Sequence, residues 1–79
     1  MELNSLKEIV LDVSELEAPQ PLILAIKTIR ELQDDECLLF KHRMNPRHLF
    51  NELTTLQMDY IIIKDQPNEF EMKIFKRKK

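Results

Sequence analysis

Glycine is missing from this sequence altogether, where average usage of about 7% predicts roughly five or six in a chain of 79 residues. A phosphate-cradling loop of the Walker or dinucleotide-binding kind needs glycine so that backbone N–H groups can approach the phosphate. Neither motif can exist here. Turns that require positive φ must fall to Asn or Asp, at higher cost. Cysteine is nearly absent too. With Cys37 alone, an internal disulfide and a thiolate zinc cluster are both excluded. Tryptophan is lacking, and aromatics make up only 6% of the chain, too few for a base-stacking surface. No apolar run approaches the roughly 20 residues of a membrane span. "MELNSLKEIV" has no basic segment leading into an apolar one, so the expectation is a cytoplasmic protein without a secretory signal.

What is present describes one small domain over residues 1–79. The apolar fraction of 43% is ordinary for a folded chain. Twelve basic and fourteen acidic residues leave a net charge of −2, with no global field toward nucleic acid or membrane. "EIVLDV" alternates Ile9, Leu11 and Val13 against Glu8, Val10 and Asp12, the spacing of a half-buried strand. Pro19 and Pro21 then suit the first turn of a helix, where a missing N–H costs nothing. Leu22, Ile23, Ala25, Ile26, Ile29 and Leu32 follow with the 3.6-residue period, predicting a helix over 19–32.

"CLLFKHRM" reads as a second strand whose inward face is ambiguous, because Cys37/Leu39 and Leu38/Phe40 are both apolar. Asn45 can cap a second helix over 46–56, with Pro46 at its first position and Leu49, Phe50, Leu53 and Leu56 as its stripe. "MDYIIIK" is a third strand, apolar on both faces. "DQPN" supplies a turn, and "EFEMKIFK" a fourth strand with Phe70, Met72 and Ile74 inward. The order β-α-β-α-β-β predicts a two-layer α/β sandwich of the α+β kind. Two helices should pack on one face of a mixed four-stranded sheet. The other face would then expose Ile61/Ile63 or Tyr60/Ile62, joined by Val10 and Phe75. Such a patch predicts a protein partner or a weak homodimer. The basic end "FKRKK" is read as a frayed, solvated tail over 76–79.

The front of the chain, "LDVSELEAPQPLILAIKTIREL", resembles the TusA/SirA/YedF-like family of bacterial sulfur carriers. Their first strand leads through a Leu-Asp-x-x-x-Leu stretch to a Cys-Pro-x-Pro motif opening the first helix. Leu11, Asp12 and Leu16 match the first part, and Pro19 and Pro21 match the prolines. Ala18 stands where the cysteine would be, and Asp34-Asp35 replaces the usual Pro-Gly. A cysteine-free, TusA-related family of unknown function is closer, with an Asn/Asp-Pro step opening its second helix as in "NPRHLFNEL". The resemblance implies a scaffold whose helix N-terminus stabilises thiolate and persulfide, here without the thiol.

Three functional readings follow. The first is a non-enzymatic binding or regulatory module, with no cofactor and no catalytic residue. Its site is expected at Glu17, Ala18, Pro19 and Pro21, with Arg43, Asn45, Pro46 and Arg47 nearby. The second is a sulfur-relay carrier using Cys37, which otherwise packs as a small hydrophobe. The third is a metal- or haem-binding module using His42, Met44 and His48, whose spacing matches no established ligand pattern. Two partly exposed histidines on different elements are the simpler expectation. Asp12, Glu15 and Glu17 lack an accompanying nucleophile and base, and read as a solvated loop. Arg43, Arg47 and the basic end could hold an anion, but the net charge argues against nucleic acid.

Overall fold

Helix α1, Gln20–Glu31, starts where the prolines require it. Pro19 is the N-cap residue, so the helix begins one residue later than the sequence pattern predicts, and Ala18 stands before the cap rather than at it. The Ala18–Pro19 peptide is cis. In the computed structural model, which describes residues 6–77, α1 lies between the parallel strands β1, Lys7–Asp12, and β2, Glu36–His42. Helix α2, Arg47–Thr55, then leads to the hairpin of β3, Met58–Gln66, and β4, Glu69–Lys76. The sheet order is β1-β2-β4-β3. β4 is antiparallel to both neighbours, so β2 and β3 run parallel. Successive crossovers β1-α1-β2 and β2-α2-β3 thus advance in one direction across the sheet, and right-handed connections then place both helices on one face. The fold is the predicted two-layer α+β sandwich.

The core fills the space between the layers. From α1 come Pro21, Ala25 and Ile29, and from α2 Leu49 and Leu53, all buried. They meet the inward residues Leu38 and Phe40 of β2 and Phe70, Met72 and Ile74 of β4. Phe40 faces Met72 across the β2–β4 ladder. Each fully buried Leu or Phe contributes about 1.5–3 kcal/mol of transfer free energy. Ile23 belongs to the predicted stripe by period but is exposed, because the helix turns that edge outward. Leu22 and Ile26 are only half-buried.

Two loops resolve differently from the sequence reading. Asn45 does not cap α2: the N-cap residue is Pro46, without a side-chain cap bond, and Asn45 Nδ2 donates instead to Asp65 Oδ2 at 3.3 Å. Positive φ occurs at Asn68, as the composition requires, but also at Gln57, with φ of 59° directly after α2. A helix end of this kind ordinarily takes Gly. The basic end is also partly anchored. Lys76 closes β4 and pairs with Asp34 at 3.0 Å, while Arg77 pairs with Asp59 at 3.1 Å. Residues 78 and 79, the rest of the predicted tail, lie outside the described residues. No helix among the described residues is long and apolar enough to cross a membrane.

β3 is an edge strand, and it exposes more than one apolar pair. Tyr60, Ile61, Ile62 and Ile63 are all between 41% and 49% exposed. The helix layer covers the inward side only in part: the Phe50 ring on α2 lies 5.0 Å from that of Tyr60. A register shift between Ile62 and Lys64 breaks the alternation as well. Both faces therefore show isoleucine. On the helix-free face Val10 is exposed and Phe75 half-buried, while Lys73–Glu8 at 3.3 Å spans it.

Candidate functional site: a cleft between two helix starts

β1 and β2 are parallel and each runs directly into a helix, so both helices start at the same end of the sheet. Between the starts lies a cleft of about 370 Å³. Ala18, Pro19, Pro21 and Leu22 form one side, and Asn45, Pro46, Arg47, His48 and Leu49 the other. Phe40, His42 and Met44 of β2 and its exit complete the wall. Ligands of α/β sheets commonly sit at this end, outside the carboxyl termini of the strands.

Six of the eight residues expected from the sequence line this cleft: Ala18, Pro19, Pro21, Asn45, Pro46 and Arg47. Two do not. Glu17 is exposed, with its backbone carbonyl accepting from Gln20 N–H at 2.9 Å, and stays out of the lining. Arg43 turns toward a wider neighbouring groove of about 560 Å³, shared with Asp65 and the β3–β4 turn. The sheet alternation explains this, since Arg43 follows His42 and takes the opposite direction.

The electrostatics of the cleft come from what the first turns lack. Neither helix has an acidic residue in its first turn. In α1, Pro19 and Pro21 carry no N–H, Gln20 N–H is bonded to Glu17, and Ile23 N–H to Pro19. Leu22 is the amide left over. In α2, Pro46 carries none, Arg47 N–H bonds to Asn45 and Leu49 N–H to Pro46, leaving His48. Each helix thus leaves one first-turn amide, that of a residue lining the cleft, without a backbone partner. Arg47 adds its charge at the first residue of α2, where a cation opposes the helix dipole by about 0.3–1 kcal/mol.

His42 departs most from expectation. Rather than partly exposed, it is 8% exposed, packed edge-on to Phe40 with ring centroids 5.9 Å apart. Its Nδ1 is buried with no hydrogen-bond partner. Burial, and then the neighbouring Arg43 charge, hold the imidazole below its ordinary pKa of 6.5, with a hydrogen bond to the Val13 backbone and then the Asp12 charge opposing. The alternation Leu38, Phe40, His42 could have revealed this, once Phe40 is known to face inward. His48 is exposed on the opposite wall. The metal candidates His42, Met44 and His48 thus share one cleft, yet among the described residues no three His, Cys, Asp or Glu side chains form a metal-binding group.

Cys37 lies elsewhere, on the outward side of β2, opposite Glu8 and Phe75 in register. It is 1% exposed, and burial pushes its thiol above the ordinary value, with Lys73 opposing and Glu8 reinforcing. Asp12, by contrast, is held below the usual carboxylate value by its hydrogen bonds to Ser14, the backbone N–H donating at 3.0 Å. It shapes the loop after β1.

No family model matches the chain, and neither a characterised protein nor a solved structure matches it.

Proposed function

We propose that this protein is a non-enzymatic binding or regulatory module, built on a TusA-like scaffold from which the sulfur-accepting thiol is absent. It acts in the cytoplasm and meets a protein partner, or a second copy of itself, through the exposed isoleucines of β3. The observation that carries the reading is the cleft itself. It combines apolar walls with few convergent polar groups, as small-ligand sites do, and no cysteine, serine or threonine stands among its lining residues. Ala18 has only a methyl group where the resembling carriers place their cysteine. The sulfur-relay alternative through Cys37 is disfavoured by chemistry, because a buried thiol with raised pKa is a poor nucleophile.

The test is a fragment screen read by ¹H–¹⁵N spectra. Binders should perturb the amides of Ala18 and Leu22 together with those of Asn45, Arg47, His48 and Leu49. Hits confined to the helix-free sheet face, or none at all, would refute the cleft as the binding site.

A further inference from the structure

We propose that β3 is the seam of a two-fold dimer, pairing edge to edge and antiparallel with β3 of a second copy about an axis at Ile61. The inference rests on β3 being the interaction surface, and adds which partner meets it and in what register. β3 ends the sheet, with no strand beyond it among the described residues. Such an edge presents unpaired N–H and C=O groups, which proteins ordinarily guard with charges, proline or a bulge. Here the guards stand at one end only. Tyr60, Ile61 and Ile62 pair regularly with Ile74, Lys73 and Met72 of β4, and all three are exposed.

The bulge supplies the self-complementarity. Asp59, Ile61 and Lys64 lie opposite Phe75, Lys73 and Glu71, while Ile63 has no partner in the ladder. Residues directly opposite share a face, and β4 turns Phe70, Met72 and Ile74 into the core. Asp59, Ile61 and Lys64 therefore all belong to the helix-free face. Without the bulge Lys64 would stand opposite Phe70 and turn the other way. With it, Asp59 and Lys64 are the nearest same-face neighbours of Ile61, one on each side.

A two-fold axis through Ile61 then sets Asp59 of each copy opposite Lys64 of the other. Ile61 meets Ile61, and Tyr60 meets the Ile62–Ile63 bulge. Moving the axis to Tyr60 or Ile62 loses both charge pairs. Existing contacts extend the pattern, with Glu71 3.8 Å from Lys64 and Arg77 3.1 Å from Asp59. Across the seam the order becomes Glu71, Lys64, Asp59, Arg77, with alternating sign. Lys64 also reaches Glu69 at 3.3 Å, and both Lys64 and Asp59 keep exposed side-chain surface for a further partner. A face-to-face dimer fits less well, because the Lys73–Glu8 pair spans the helix-free face. A seam one strand wide buries less than the roughly 1,200–2,000 Å² of a standard interface, so the dimer should be weak.

The test is sedimentation of the wild type up to millimolar concentration, and of Asp59→Lys and Lys64→Asp, separately and mixed. Either variant alone opposes like charges at both ends of the seam, and should self-associate about tenfold more weakly than wild type. Mixed in equal amounts, the two restore both opposite pairs and should associate at least as well as wild type. Amide hydrogen exchange of the wild type needs no variant: the outward amides among Tyr60, Ile61 and Ile62 should slow as concentration rises. A wild-type chain that stays monomeric would overturn the second copy as occupant and leave β3 to a heterologous partner. Self-association that the mixture does not restore, or that leaves those amides unprotected, would overturn the edge pairing. If that association also survives Ile61→Lys, the contact lies off β3 and the reading of β3 as the interaction surface fails with it. Should either charge variant fail to fold, the exchange of the wild type decides alone.

Discussion

Replacing His42 by Phe should make this protein more stable, and should remove a defined part of its pH dependence. The imidazole is buried against Phe40, and its Nδ1 has no partner. Leaving such a group unpaired costs about 1–3 kcal/mol. A phenyl ring keeps the shape and the edge-on contact and brings no polar atom. Phe is larger, and overpacking in a closed core costs about 1–3 kcal/mol, but the adjoining cleft of about 370 Å³ leaves room on one side. The expected net gain is about 1 kcal/mol, which for a domain of this size raises Tm by roughly 4–8 °C. The pH signature is separable. Because the folded pKa of His42 lies below the unfolded value, the unfolded chain takes up the proton first as pH falls. The stability is therefore full above about pH 6.5 and declines below it until the folded pKa is passed. Asp12 is lowered from 3.8, so its contribution disappears only in more acid solution, as pH falls through its depressed folded value. Urea unfolding at about pH 7.5 and about pH 5.5 thus isolates the histidine. His42→Phe should flatten that difference. A variant less stable than wild type at both pH values, or one with an undiminished slope, would refute the account of His42 as an orphaned core imidazole.

Three further outcomes are expected. Incubated with a cysteine desulfurase and cysteine, the folded protein should acquire no persulfide at Cys37, and iodoacetamide should label that thiol only on unfolding; a label abolished by Cys37→Ser would favour the sulfur-relay reading. Gln57→Gly should stabilise by up to about 1 kcal/mol in chemical denaturation, because Gln57 holds φ of 59° where glycine has no Cβ penalty; a loss of stability would show that Gln57 makes a contribution outweighing its backbone cost. Sedimentation should show concentration-dependent mass that falls on Ile61→Lys or Ile62→Lys, whereas a monomer at millimolar concentration would leave only a heterologous partner for β3.

The sheet and helices were legible because their patterns are redundant. α1 announces itself by Ala25 and Ile29 as well as by its prolines, and β4 by a strict alternation from Phe70 to Ile74. β2 was not so easily oriented. Its outward residue Cys37 is as buried as inward Leu38, since Phe75 and the Glu8–Lys73 pair lie around it. Without that orientation, His42 could not be assigned to the core. The cleft was half legible: two proline-opened helices after parallel strands imply neighbouring starts. The contributions of Leu22 and His48 come from which amides the prolines leave unbonded, and that needs the backbone geometry. Asn45 misled because a good capping side chain had a better partner in Asp65, twenty residues away and invisible to local pattern.

The position of β4 has a consequence for how the molecule comes into being. It follows β3 in the chain yet lies between β2 and β3. During synthesis β1, α1 and β2 can associate as they emerge, but β3 has no neighbour in the sheet until β4 is made. The β3–β4 hairpin then docks as a unit along a single seam, from Cys37 opposite Phe75 to His42 opposite Phe70. A chain cut between α2 and β3 would yield two fragments, each with one half of that seam unpaired. Such fragments are the natural pair for reconstituting the fold from separately made pieces.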